Sequence, residues 1–197
     1  VTDGQPSHAS GNKVAVRDQL LAGRRRRRLT EVGTSARAIA DVLLAAPEVR
    51  RAATVACYVS VGNEPGTTEL LDRLVAAGKR VLLPLLLPDN DLDWAPYAGP
   101  GSLAPARRGL LEPTAPGLGV EAIAGTDVVL VPGLGVGADG MRLGRGGGSY
   151  DRALARVPVG TFTCVLVYDD EVLPVVPAEP HDRPVTAVAT PSGLHHF

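Results

Sequence analysis

Cysteine is nearly missing from this chain: Cys57 and Cys164 are the two in 197 residues. Two thiols make no disulfide framework, and neither has a Cys or His neighbour at metal-ligand spacing. Aromatic residues amount to 4%, with a single Trp, so the core must be built from Val, Leu and Ala. There is no excess of charge of one sign: 20 basic and 21 acidic residues leave a formal net charge of −1. No global field draws such a chain to nucleic acid or anionic lipid, and neither partner is expected. No apolar run approaches the roughly 18 residues that a membrane span needs. The polar stretch 1–12 lacks the apolar segment of a secretory signal, so a reducing, cytoplasmic setting is expected.

What is present is a globular composition, with 45% hydrophobic and 21% charged residues, and a length suited to one domain. Residues 1–12 read as a loose tail, 13–190 as a single domain and 191–197 as a second tail. A basic helix is expected over 13–29. A clearer one carries Ile39, Val42, Leu43 and Ala46 at i, i+3, i+4 and i+7 before Pro47 stops it. A strand at Thr54–Val59, a helix at Thr67–Ala77 with Gly78 at its cap, and a strand at Arg80–Leu83 then follow. Seven prolines in 84–116 predict a mostly irregular stretch with a short strand near Trp94. Further strands are read at Asp127–Val131, Phe162–Val167 and Val185–Ala189, with a short helix at Ser149–Arg156. Apolar strands alternating with helices predict an α/β fold: one three-layer α/β/α domain with a mostly parallel, Rossmann-like central sheet. Ligands of such sheets bind beyond the carboxyl ends of strands, which singles out the loops after residues 59 and 131.

Eight of the 23 glycines fall within 133–148. Gly135, Gly137 and Gly140 satisfy G-x-G-x-x-G after a strand, but no helix can open before about Ser149, as a dinucleotide fingerprint requires. Gly135 and Gly140 also have Walker spacing, yet Met141-Arg142 stands where Lys-Ser/Thr is needed. The run Arg142-Leu143-Gly144-Arg145-Gly146-Gly147-Gly148-Ser149-Tyr150-Asp151 is more specific. Successive glycines let backbone N–H groups converge on an anion, and two arginines add forked donors. Phosphate binding is favoured over a flexible surface loop. Asp151 beside an anion suggests a bridging Mg²⁺, although a first-turn Asp is equally well explained by the helix dipole. The five consecutive arginines Arg24–Arg28 wrap round a helix and read as a solvated basic segment. No nucleophile-elbow context surrounds Ser149 or Ser192.

This run, preceded by Val131-Pro132-Gly133-Leu134-Gly135, resembles the signature of the 5-formyltetrahydrofolate cyclo-ligase (5,10-methenyltetrahydrofolate synthetase) family, whose pattern is P-G-L/V-aromatic and then R-L-G-x-G-x-G-Y-Y-D. Four more landmarks occur in order: Lys13-x-x-Val16-Arg17, Asn63-Glu64 with Thr67, Gly109-Leu110-Leu111-Glu112-Pro113, and Glu179-Pro180-His181-Asp182. Ser149 replaces the first of the family's paired tyrosines, and Val136-Gly137 replaces its Phe-Asp.

The resemblance implies an ATP- and Mg²⁺-dependent ligase that closes 5-formyltetrahydrofolate to 5,10-methenyltetrahydrofolate, releasing ADP and phosphate. It assigns ATP contacts to the stretch Lys13, Val14, Ala15, Val16 and Arg17 and to the loop Arg142, Leu143, Gly144, Arg145, Gly146, Gly147, Gly148, Ser149 and Tyr150. Residues 145–150 of that loop also face the folate. Val59 and Glu64 are implied as folate-binding residues, Asp151 and Asp182 as Mg²⁺ ligands, and Arg145 and Asp151 as the catalytic pair. A carboxylate such as Glu64 accepts two parallel N–H bonds and so suits the amino-pyrimidine edge of a pterin. Trp94 and Tyr97 fit core packing better than stacking on the ligand, and Arg107-Arg108 are candidates for a polyglutamate tail. A monomer is expected. Two other classes remain open at this point: a folate or nucleotide binder without turnover, and a nucleic-acid module using Arg24–Arg28.

Overall fold

The computed structural model describes residues 8–197; the expected tail at 1–7 lies outside the described residues. Helix α1 runs His8–Arg25, so residues 8–12 belong to it rather than to a tail. It ends four residues before the expected boundary, because the chain turns where the Arg26 and Arg27 amides bond back to the Gly23 and Arg24 carbonyls. Helix α2 (Leu29–Ala45) buries Ile39, Ala40 and Leu43 on one face. Pro47 ends it and also opens a further short helix, α3 (Pro47–Arg51), since proline at a first helical position loses no hydrogen bond.

Strand β1 (Thr54–Ala56) leads through a loop to α4 (Thr68–Ala76), which buries Leu70, Leu71 and Leu74. Gly78, at φ +76, terminates α4 in the left-handed region as expected. The next segment is more regular than its prolines suggest. Strand β2 spans Arg80–Leu86 and pairs antiparallel with β3 (Leu92–Tyr97), Pro84 lying opposite Trp94. Pairing of β2 with β1 stops at Leu82, so Pro84 sits where one edge of β2 is free and its missing N–H costs little. A small hairpin of β4 (Leu103–Pro105) and β5 (Leu111–Pro113) follows.

Strand β6 (Val128–Pro132) then enters the glycine-rich segment, which holds two short strands, β7 (Gly135–Gly137) and β8 (Arg142–Leu143). No helix opens there, as the missing dinucleotide context predicts. Helix α5 (Ser149–Ala155), β9 (Phe162–Leu166), β10 (Val172–Leu173), β11 (Ala187–Thr190) and β12 (Gly193–His196) complete the chain. The stretch expected as a C-terminal tail forms an antiparallel hairpin, β11–β12, with His195 and His196 in register with Val188 and Ala187.

The seven-stranded sheet has the order β12-β11-β9-β6-β1-β2-β3. Its five inner strands are parallel, and the two edge strands are antiparallel. Alternate residues serve opposite faces. Val55, Val81, Val128, Leu130, Cys164 and Ala187 pack with α2, α3 and α4, whereas Ala56, Leu82, Val129, Val165 and Val188 pack with Ala153 and Leu154 of α5 and with Ile123. Both faces are covered, which makes the α/β/α layering. Cys57 and Cys164 are free and buried, and desolvation raises both thiols, Cys57 to about 12. Trp94 and Tyr97 belong to the core; Tyr97 donates its hydroxyl proton to Asp72 at 2.7 Å.

The arginine run is not a uniformly solvated segment. Arg24 is 2% exposed and forks onto Glu171 at 2.7 and 2.8 Å, while its Nη2 also donates to the Gly133 carbonyl at 2.6 Å. Arg27 lies over the Tyr168 ring, 3.9 Å from its centroid, and pairs with Asp170. Arg25, Arg26 and Arg28 remain exposed. Arg24 and Arg27 therefore anchor the end of α1 while Arg25, Arg26 and Arg28 are solvated; the helix covers Arg24 and Arg25, and the turn after it places the others. Arg24→Ala strands the Glu171 carboxylate in the interior and is expected to cost about 3–5 kcal/mol, whereas Arg25→Ala should cost under about 0.5 kcal/mol. Denaturant unfolding compares the two variants; equal midpoints would contradict the buried-pair account.

Candidate active site

The loop from β1 to α4 is tied down by its own short polar side chains. The Ser60 amide donates to Thr67 Oγ1 at 2.9 Å and the Thr67 amide to Ser60 Oγ at 3.1 Å, while Thr67 Oγ1 donates to the Tyr58 carbonyl at 2.7 Å. Within that brace Glu64 Oε2 accepts the Val61 amide at 2.9 Å. Glu64 is 7% exposed. Its position is fixed from outside as well: Asn63 Nδ2 donates to the Arg24 carbonyl at 2.9 Å, and the Tyr168 hydroxyl donates to the Asn63 carbonyl at 3.1 Å. Arg24 thus braces two loops at the carboxyl ends of strands, those after β1 and β6.

Those loops, α1, the β4–β5 hairpin and the glycine-rich run enclose a cavity of about 480 Å³. From the sequence-derived set it is lined by Lys13, Arg17, Val59, Glu64, Arg142, Leu143, Gly144, Arg145, Gly146, Gly147, Gly148, Ser149, Tyr150, Asp151 and Asp182. Val14, Ala15 and Val16 are not on its wall: helical periodicity turns Val14 and Ala15 outward, and Val14 is 53% exposed. Gly146 and Gly148 have φ of +98 and +69, a region that L side chains rarely adopt. A Cβ on Gly146 would also sit 3.4 Å from the Arg17 guanidinium carbon. The glycines therefore serve both the turn and the close approach of α1.

Lys13, Arg17, Arg142 and Arg145 each have an internal partner. Lys13 Nζ contacts Asp182 at 2.6 Å and Glu179 at 2.8 Å. Arg142 pairs with Asp151 at 2.9 Å, and Arg145 reaches Glu64 Oε1 at 3.0 Å. Arg17 Nε donates to the Gly144 carbonyl at 2.9 Å. Arg145 is the loosest, with its side chain 54% exposed. Burial of Lys13 alone would lower its pKa, but the hydrogen bonds with Asp182 and Glu179 prevail and raise it. Burial likewise opposes ionisation of Asp182, yet Lys13 and the Glu179 amide hold it below the usual carboxylate value.

A carboxyl with a depressed folded pKa stabilises the fold above its unfolded value, near pH 4, and loses that stabilisation as the pH falls through the lower folded value. A raised lysine stabilises fully below about pH 10 and loses this above. The difference in thermal midpoint between the wild-type protein and Asp182→Asn is therefore expected to be level from about pH 5 to about pH 9 and to shrink toward pH 3. A gap that persists unchanged at acid pH would contradict the pairing.

Asp151 and Asp182 both line the cavity but do not share one cluster. Among the described residues, the group of potential metal-ligating side chains whose donor atoms lie within 4.8 Å of one another is Glu179, His181 and Asp182. Oxygen donors suit a hard cation such as Mg²⁺, so Asp151, Asp182 and Glu179 fit, with Lys13 and Arg142 now neutralising the charge that a cation would.

Sequence reasoning assigned no role to Tyr58, to the apolar wall of Leu86, Leu92, Leu110 and Leu111, or to Glu112 and Glu179, all of which line the cavity. Leu110 to Glu112 and Glu179 lay inside quoted landmarks, so spacing marked them. Leu86 and Leu92 carried no signal beyond strand hydrophobicity. Arg108 reaches the cavity wall at φ +58, whereas Arg107 donates to the Leu86 carbonyl at 2.8 Å.

The 5-formyltetrahydrofolate cyclo-ligase family matches residues 9–191 of the chain. A 5-formyltetrahydrofolate cyclo-ligase of Mycolicibacterium smegmatis is 48% identical over 143 residues, covering 70% of this chain and 73% of that protein. Its counterpart in Escherichia coli is 35% identical over 181 residues, covering 85% and 95%. The NMR structure of Aquifex aeolicus 5,10-methenyltetrahydrofolate synthetase superposes with a TM-score of 0.80 at 25% identity, covering 93% of this chain and 92% of that one.

Proposed function

Because the chain belongs to the 5-formyltetrahydrofolate cyclo-ligase family and is a ligase of that kind, we propose that it closes 5-formyltetrahydrofolate to 5,10-methenyltetrahydrofolate with ATP as co-substrate, in the cytoplasm. The observation that carries this reading is the single cavity in which Glu64, the glycine-rich run and two carboxylates meet.

The reaction poses two difficulties. A formamide carbonyl is a weak electrophile, and its oxygen is a poor leaving group. Transfer of the γ-phosphoryl group to the formyl oxygen removes both, after which N10 attacks the activated carbon and the oxygen departs within inorganic phosphate. A protein contributes to such chemistry mainly by positioning and by stabilising charge. Glu64 accepts the paired N–H groups of the pterin edge, and Tyr150, whose phenol burial keeps protonated, lies against the ring. The Gly144–Gly148 backbone admits the phosphates, and Lys13, Arg17, Arg142 and Arg145 exchange their internal carboxylates and carbonyls for phosphate oxygens. Mg²⁺, held by Asp151 and Asp182 with Glu179 available, would neutralise phosphate charge. Positions 14–16 take no part in this scheme.

Arg145 connects the two substrates. Its guanidinium sits on the carboxylate oxygen that the pterin edge needs, and both are planar N–H forks. Folate displaces Arg145 from Glu64 and frees it for the phosphoryl group. Formyl-labelled substrate carrying heavy oxygen tests the chemistry: the label is expected in the released phosphate, one atom per turnover. Label appearing in water would overturn phosphorylation of the formyl oxygen.

A further inference from the structure

Tyr58 follows β1 at the carboxyl end of the sheet, 3% exposed and part of the cavity wall. Its backbone carbonyl accepts the Thr67 hydroxyl proton at 2.7 Å, which holds the residue at this end of the sheet. Among the described residues its own hydroxyl has no hydrogen-bond partner, although the oxygen is fully shielded. Buried hydroxyls almost always find a partner, and an orphan is costly to keep. Phenylalanine would fill the same space without that cost. The groups whose charge acts on the phenol are Glu64, Cys57, Tyr150 and Arg24. Burial and the Glu64 charge push the phenol well above its ordinary value, so it stays a neutral O–H donor at all working pH.

Glu64 supplies acceptors alone. In a pterin the donor edge that a carboxylate grips, N3–H and the 2-amino group, adjoins the 4-oxo group, an acceptor. A carboxylate repels that carbonyl, whereas a phenol beside the carboxylate complements it. We infer that Tyr58 is a specificity-determining residue, donating its hydroxyl proton to the lactam carbonyl of the pterin while Glu64 accepts from the neighbouring N–H groups. This rests on the folate reading of the cavity. The pair would read a donor–acceptor pattern that neither residue reads alone, and would prefer 4-oxo over 4-amino pterins.

Tyr58→Phe in the full-length protein tests the assignment. The KM for 5-formyltetrahydrofolate is expected to rise about 3- to 10-fold, the share of one hydrogen bond, with kcat and the KM for ATP within about 2-fold. The thermal midpoint without ligand should stay level or rise, because an orphan is removed, and the upward shift given by 5-formyltetrahydrofolate should shrink. A KM equal to wild type would overturn the assignment. So would a lower ligand-free midpoint with an unchanged folate shift, the mark of a purely structural hydroxyl. The thermal shift reads binding without turnover, so a wild-type protein that binds folate but gives no product would refute the ligase reading and leave this test intact. A wild-type protein whose midpoint 5-formyltetrahydrofolate does not move would overturn both.

Discussion

Asp151→Asn is expected to lower kcat by about 10²- to 10³-fold while leaving the affinity for 5-formyltetrahydrofolate within about 2-fold. The asparagine is chosen with the structure in view. Asp151 Oδ1 accepts from Arg142 Nη2 at 2.9 Å, and Arg142 is 6% exposed, so alanine would leave a buried guanidinium short of a partner. Asn retains an oxygen for that bond and removes the charge, which separates loss of cation binding from loss of packing. The concentration of Mg²⁺ needed for half-maximal rate should rise together with the fall in kcat. Arg142 keeps its second bond, to the Pro132 carbonyl at 3.2 Å, so the fold should tolerate the change. An unchanged kcat, or a parallel loss of folate affinity, would show that Asp151 serves only to hold Arg142.

Glu64→Gln should act on the other substrate. Two charge-assisted hydrogen bonds are at stake, so the KM for 5-formyltetrahydrofolate is expected to rise about 10²-fold with a far smaller change in kcat. The direction follows from the geometry. Oε2 accepts the Val61 amide, and an amide side chain that keeps this bond must turn its NH₂ toward the position of Oε1. That NH₂ would face the donors of the pterin edge, or of Arg145, and repel them. The KM for ATP should change little or fall, because Arg145 is no longer held. A loss of kcat at constant KM would place Glu64 in the chemical step instead.

The parallel core of the fold was legible because its physics is local. Strands of buried Val and Leu, and helices with apolar residues three and four apart, show their period directly. The misreadings lie where tertiary partners decide. The proline-rich stretch looked irregular, yet Pro84 and Pro96 fit β2 and β3 because those strands have free edges there. The residues after 190 form a hairpin only because β11 offers them an edge. Arg24 could not be told from Arg25 in sequence, since their difference lies in which side of α1 meets Glu171, 147 residues away.

The site was read through spacing, and spacing says nothing about depth. Lys13 and Arg17 came through because i and i+4 share a helix face, and the same period turns Val14 and Ala15 away from the cavity. Tyr58 escaped notice because an aromatic at a strand end looks like core; what distinguishes it is a missing hydrogen bond, visible only with its surroundings in place. The Lys13–Asp182 pair joins two landmarks 169 residues apart that sequence order had kept separate.

The account turns on whether this cavity couples ATP cleavage to ring closure. The direct measurement follows the near-ultraviolet absorbance of the methenyl product while quantifying ADP in the same sample, with wild-type protein, 5-formyltetrahydrofolate, ATP and Mg²⁺. The predicted result is product formed with one ADP per molecule, and neither without Mg²⁺. Folate and ATP both binding to well-folded protein, with no methenyl product at any Mg²⁺ concentration, would contradict it.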